Sequence, residues 1–70
     1  MTQNIDPTKK VGKNLKNLIK ESGRTQEGFA DEFGADPSTV RRWISKGIKS
    51  VETICEIAEF FDMDFRELFD

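Results

Sequence analysis

Catalysis needs reactive side chains, and this chain is short of them. It has no His and no Tyr, and its one cysteine, Cys55, stands on the flank of an apolar pattern with no base beside it. A thiol so placed is a small core residue rather than a nucleophile. The carboxylates Glu52, Glu56, Glu59, Asp62 and Asp64 do not reproduce the compact Asp-x-Asp-x-Asp-Gly run of a calcium loop, and no Gly-rich phosphate loop follows a strand. A solvated acidic face is the better reading, so no enzyme, metal or cofactor is expected. What remains is a polar and basic group, Ser38, Thr39, Arg41 and Arg42, set between Asp36-Pro37 and Trp43. It either presents donors to a partner or is surface, solvated or paired with acids.

Such a group needs a platform, and residues 25–43 supply one. Thr25 is a good N-cap, because its hydroxyl can accept from an unpaired N–H in the first turn. Phe29, Ala30 and Phe33 recur at helical spacing, and Gly34 stands where a helix ends in a left-handed conformation. Asp36 then caps a second helix that has Pro37 at its first position, where a missing N–H costs nothing. Val40, Trp43 and Ile44 form one stripe, so Ser38, Thr39, Arg41 and Arg42 face away from it. The spacing predicts helices over about 26–33 and 37–45. Two short helices, a tight turn with Gly and a basic outer face make the helix-turn-helix pattern.

The rest of the chain reads as three more helices. Residues 1–5 carry no periodicity and are expected to be a flexible arm, with Ile5 placed to staple the first helix. Asp6-Pro7 is a start signal, Val11, Leu15, Leu18 and Ile19 make one stripe, and Ser22-Gly23 ends the element. Lys9, Lys10, Lys13, Lys16 and Lys20 occupy its other faces. Gly12 weakens this helix by about 1 kcal/mol relative to Ala, for no reason visible in the sequence; close helix packing would give one. Gly28 stands where a capping box would have Glu or Gln, so the Thr25 cap should be weaker. After the second helix of the motif comes a loop, SKGIKS, with Gly47, Lys46 and Lys49. Ser50 caps a fourth helix with Val51, Ile54, Ile57, Ala58 and Phe61 on one face and Phe60 off it. Asp64 and Glu67 form an Asp-x-x-Glu box for a last short helix closed by Phe65, Leu68 and Phe69.

Seventy residues, with no repeat or linker, are expected to form a single domain over 1–70. Six Phe and one Trp supply a small core economically. A lone Cys suits a reducing compartment, and neither a membrane span nor a signal-peptide core is present, so a soluble cytoplasmic protein is expected. The net charge is −2 but it is unevenly placed. Residues 1–50 hold ten Lys/Arg against six Asp/Glu, and residues 51–70 hold one against seven. Halves of opposite sign suggest one face for a polyanion and another turned away, unless both are merely solvated.

The chain resembles the phage repressor and Cro-like (XRE-type) helix-turn-helix family. The resemblance rests on Gln26, Phe29-Ala30, Gly34, Val40 and Trp43, and continues through VETICEIAEFFDMDFRELF, which looks like the family's fourth and fifth helices. It implies an all-α, five-helix, lambda-repressor-like DNA-binding domain whose partner is double-stranded DNA, read with the third helix in the major groove. By the same resemblance Gln26 and the N–H groups near it grip phosphate, while Pro37, Ser38 and Arg42 are the base-reading positions, with Asp36, Thr39 and Arg41 alongside. Arg42 is the choice for a bidentate pair with guanine, Arg41 for phosphate, and Lys46 and Lys49 would add phosphate contacts from the loop. The chain departs from the family in Trp43-Ile44-Ser45-Lys46-Gly47, which has Ile where Glu is usual and one residue extra. A transcriptional regulator follows, a repressor rather than an activator, since a small domain can block a promoter by occupancy. The alternative is a protein-interaction module or antitoxin-like subunit that keeps the fold without using DNA. A homodimer would use Phe60, Leu68 and Phe69, apolar groups that a small core need not bury.

Overall fold

The computed structural model describes residues 7–70, so the Asp6 cap, the Ile5 staple and the arm over 1–5 lie outside the described residues. Four α-helices follow in order: α1 (Pro7–Glu21), α2 (Gln26–Phe33), α3 (Pro37–Lys46) and α4 (Val51–Phe60). The last element, Phe65–Phe69, is the last short helix expected and takes the 3-10 form. Five residues are too few to develop an α-helical ladder, and tight turns of this kind are used in short pieces. Its capping box is nevertheless complete, with Asp64 accepting from the first turn and Glu67 reaching back to the Asp64 N–H.

The boundaries are set by local chemistry. Thr25 Oγ1 accepts from the Gly28 N–H at 2.9 Å, and Gly34 takes φ 92°, its N–H donating to the Ala30 carbonyl. Asp36 caps α3, Ser50 caps α4 by accepting from the Thr53 N–H at 3.2 Å, and Ser22 Oγ donates to the Ile19 carbonyl as α1 ends. Past α4 the chain turns at Asp62, a non-glycine residue with φ 55°, which Asp tolerates better than bulkier residues do.

One core joins these elements. Val11, Leu15, Phe29, Ala30, Val40, Ile57 and Leu68 have no exposure, and Ile19, Ile48, Ile54 and Ala58 have almost none. Phe29 is its aromatic hub. Its ring stacks on Phe33 and Phe61, with centroids at 5.2 and 5.6 Å, and meets Phe60 edge-on at 5.0 Å. Phe33 in turn meets Trp43 edge-on at 5.8 Å, which ties α2 to α3. Arrangements of this kind add about 0.5–1.5 kcal/mol per pair beyond the area they bury.

Gly12 now has its reason. A Cβ there would collide with the Trp43 carbonyl oxygen and press on that of Ile44, so α1 seats directly on the backbone at the end of α3. Gly47 is squeezed against Thr8 in the same way at φ 95°, and the next residue, Ile48, donates its N–H to the Thr8 carbonyl at 3.1 Å. Ile48, expected only as part of a polar loop, is thereby a core residue.

The apolar surface expected from Phe60, Leu68 and Phe69 does not form as such. Leu68 is fully buried against α1, where the Asn14 amide donates to its carbonyl at 2.7 Å. Phe60 packs into the Phe29–Phe33–Phe61 group, and both Phe60 and Phe69 stay partly buried at the margin of the core. Among the described residues, the large apolar side chains that stay exposed are Val51 and Phe65.

Candidate nucleic-acid interface

The hydrophobic contact between α2 and α3 decides which side chains of α3 point outward. Val40 is buried and Trp43 and Ile44 are half-buried, so Ser38, Arg41, Arg42 and Ser45 are left exposed and Thr39 partly so. Pro37 opens the helix half-exposed. The expected group of Asp36, Pro37, Ser38, Thr39, Arg41 and Arg42 is therefore assembled on one element, with its apolar neighbours turned inward.

Its first turn is internally bonded. Asp36 Oδ1 accepts from both the Ser38 N–H at 2.9 Å and the Ser38 hydroxyl at 2.7 Å. The hydroxyl bond, then the backbone bond, hold the Asp36 carboxyl below its ordinary value, and the charge of Arg41 adds a smaller pull in the same direction. With its proton committed to Asp36, the Ser38 hydroxyl faces outward as an acceptor. Arg41 and Arg42 differ: among the described residues neither forms an ion pair, and the same holds for Lys46 and Lys49. The alternative of arginines occupied by acidic neighbours is not what the structure contains.

Gln26 sits apart from that group, at the first position of α2, and is half-buried. It lines an open depression together with Lys16, Ile19, Lys20, Arg24 and Thr25. Thr25 and Gln26 place the α2 N-terminus at this depression, and the partial positive charge of a helix N-terminus favours an anion there. Lys46 ends α3, and Lys49 stands exposed beyond the pinned Ile48, so the SKGIKS segment is a fixed connection with its two lysines in solvent.

Two basic features escaped the sequence reading. Lys16 and Lys20 flank the N-terminus of α2, which their i, i+4 spacing ahead of the Thr25 cap would have signalled. Arg24 is a structural cation. Its guanidinium donates to both carboxylate oxygens of Glu32 at 3.1 Å and lies 5.0 Å over the Phe60 ring. No local pattern links residue 24 to residue 60. No helix among the described residues is long and apolar enough to cross a membrane.

Comparison with known proteins agrees with this geometry. The model of a helix-turn-helix family matches residues 15–68, which takes in α2, the turn, α3 and the C-terminal elements. No curated protein matches the chain. An all-helical domain with this match is a DNA-binding domain of the transcription-regulator type, and the chain belongs to the phage repressor and Cro-like helix-turn-helix family.

Proposed function

We propose that the domain binds duplex DNA sequence-specifically, with α3 in the major groove, and represses transcription by occupying the sites it reads. The observation that carries this reading is the pair Arg41 and Arg42, exposed and without an ion-pair partner among the described residues on a helix whose other side is fixed in the core. Each base pair presents a distinguishable set of donors and acceptors in that groove, and a guanidinium matches guanine O6 and N7. In this reading Arg42 reads a guanine and Arg41 grips phosphate. Ser38 offers its hydroxyl as an acceptor, and Pro37 makes apolar contact, for example with a thymine methyl. Gln26 and the α2 N-terminus hold one phosphate, while Lys46 and Lys49 hold others. Thr39 and the capped Asp36 keep the first turn in register.

The test is selection of bound sequences from a random duplex library at near-physiological salt, with Arg42→Ala run beside the parent protein. An enriched motif is expected, relaxed at one guanine in the variant by the equivalent of about 1–3 kcal/mol. Two-fold symmetry in that motif is the sign of two copies on one operator. No enrichment, with binding absent even at low salt, sinks the reading. The protein-interaction alternative then becomes the one to pursue, beginning with the acidic C-terminal half.

A further inference from the structure

Beyond the groove-facing helix, one long edge of α1 is strongly charged. Lys9, Lys13, Lys16 and Lys20 follow one another at intervals of four, three and four residues, which places them along a single edge of the helix. All four are exposed, and among the described residues none has an ion-pair partner. The first turn of α1 carries no acid, and the helix holds a single one, Glu21, at its end.

Three contacts fix where this edge lies. At its N-terminal end, the Thr8 carbonyl accepts the Ile48 N–H, so Lys9 stands next to the connection that bears Lys49. At its middle, Gly12 rests on the Trp43 and Ile44 carbonyls, so Lys13 borders the C-terminal end of α3. At its far end, Lys16 and Lys20 share the open depression with Gln26 at the α2 N-terminus. The edge thus runs from the α3–α4 connection to the α2 N-terminus and is continuous with the basic and polar residues of the helix-turn-helix.

We propose that this lysine edge of α1 is a second DNA-contacting surface, which follows the sugar-phosphate backbone beyond the base pairs that α3 reads. The proposal rests on the DNA-binding reading above. Eleven helical steps from Lys9 to Lys20 span about 16 Å at ~1.5 Å each, or roughly half a duplex turn of ~34 Å. Ammonium groups on flexible stems suit a backbone contact that carries no sequence information. The edge therefore supplies affinity and salt dependence, and it leaves the choice of bases to α3.

The experiment compares the parent protein with a K9Q/K13Q/K16Q/K20Q variant on the selected motif. Two duplexes are used, one ending at the motif and one extended by about one turn on each side. Glutamine keeps a helix propensity close to that of lysine, and a thermal melt checks the fold. Each lost phosphate contact should reduce the slope of log affinity against log salt by about 0.9. A slope shallower by about 2–4, and binding weaker by at least tenfold at moderate salt, are expected on the extended duplex, with a smaller change on the short one, where Lys16 and Lys20 border the phosphate site of α2. The selected motif should stay the same. Equal slopes for the two proteins on both duplexes, with the motif still enriched, overturn this proposal and leave the DNA-binding reading standing. Salt-sensitive self-association that the variant loses, with its DNA slope unchanged, also overturns it and assigns the edge to the acidic half of another copy. Failure of the parent protein to enrich any motif removes both.

Discussion

Two caps of one design open the two ends of this domain and treat their neighbouring cations in opposite ways. Asp36 at the start of α3 is bonded by the residue two positions on, the neutral Ser38. Asp64 at the start of the 3-10 helix is also bonded by the residue two positions on, but there it is Arg66, through its N–H and its guanidinium at 2.9 and 3.3 Å. The first arrangement leaves Arg41 and Arg42 without an ion pair; the second consumes the one cation of the acidic C-terminal stretch. The lesson is that basic residues cannot be counted as DNA contacts from sequence alone. Arg24 and Arg66 are paired within the fold, whereas Arg41 and Arg42 have no ion-pair partner among the described residues.

The two ends are also anchored differently, and the largest expected effect tests that. The C-terminal end hangs on the buried Leu68 side chain. Leu68→Ala should lower stability by about 2–5 kcal/mol, by lost transfer energy and a cavity, read as a shift of the urea midpoint. Because the last helix packs on α1 and α4 rather than on α3, molecules that remain folded should keep the base preference of the parent. A changed preference would mean that the two ends are coupled.

The seat of α3 is instead backbone on backbone at Gly12. Gly12→Ala gains about 1 kcal/mol of helix propensity yet forces α1 and α3 apart, and overpacking of this kind costs about 1–3 kcal/mol and occasionally more. A net loss of up to about 2 kcal/mol is expected by denaturant unfolding, together with weaker DNA binding, because α3 itself is displaced. Stability lost with DNA affinity intact would show that α3 keeps its place without this contact.

The smallest effect concerns acid. The carboxyls of Asp36 and Asp64 are both held below their ordinary value, by Ser38 and by Arg66 respectively. A carboxylate favoured in the folded state stabilises it above the unfolded value, near ~3.9, and that contribution is lost as pH falls through the lowered folded value. In melting curves from about pH 6 down to 2, Asp36→Asn should keep a neutral cap, lose only the smaller part of the neutral plateau that the ionised carboxyl supplies, and flatten the acid-side loss. Asp64→Asn should flatten it too, and should lower the neutral plateau further, because the attraction to Arg66 goes with the charge. Identical curves for the two variants would remove the distinction between the caps.

Most of the fold was legible because its signals are local. Thr25, Asp36, Ser50 and Asp64 cap as their residue types demand, and Gly34 turns where the apolar spacing stops. The group on α3 was legible for the same reason, since Val40 and Trp43 define its inner side. What escaped depends on contacts between distant residues. The burial of Ile48 follows from a bond to Thr8, the need for Gly12 from the carbonyl of Trp43, and the fate of Arg24 from Glu32 and Phe60. Leu68 drops out of the expected apolar group because, on an element too short to show a period, it is held by α1.

The bond from the Asn14 amide to the Leu68 carbonyl closes a span of 54 residues. Its consequence lies in time. While the chain is being made, α1 leaves the ribosome well before Leu68, the side chain 54 residues on from Asn14 that completes its packing. A nascent chain stopped before residue 68 already contains the helix-turn-helix residues but still shows water the apolar side of α1 that Leu68 will cover. The domain therefore gains its full cooperativity only once residue 68 has emerged, and until then its lysine-rich first helix is a partly apolar surface that a chaperone can hold.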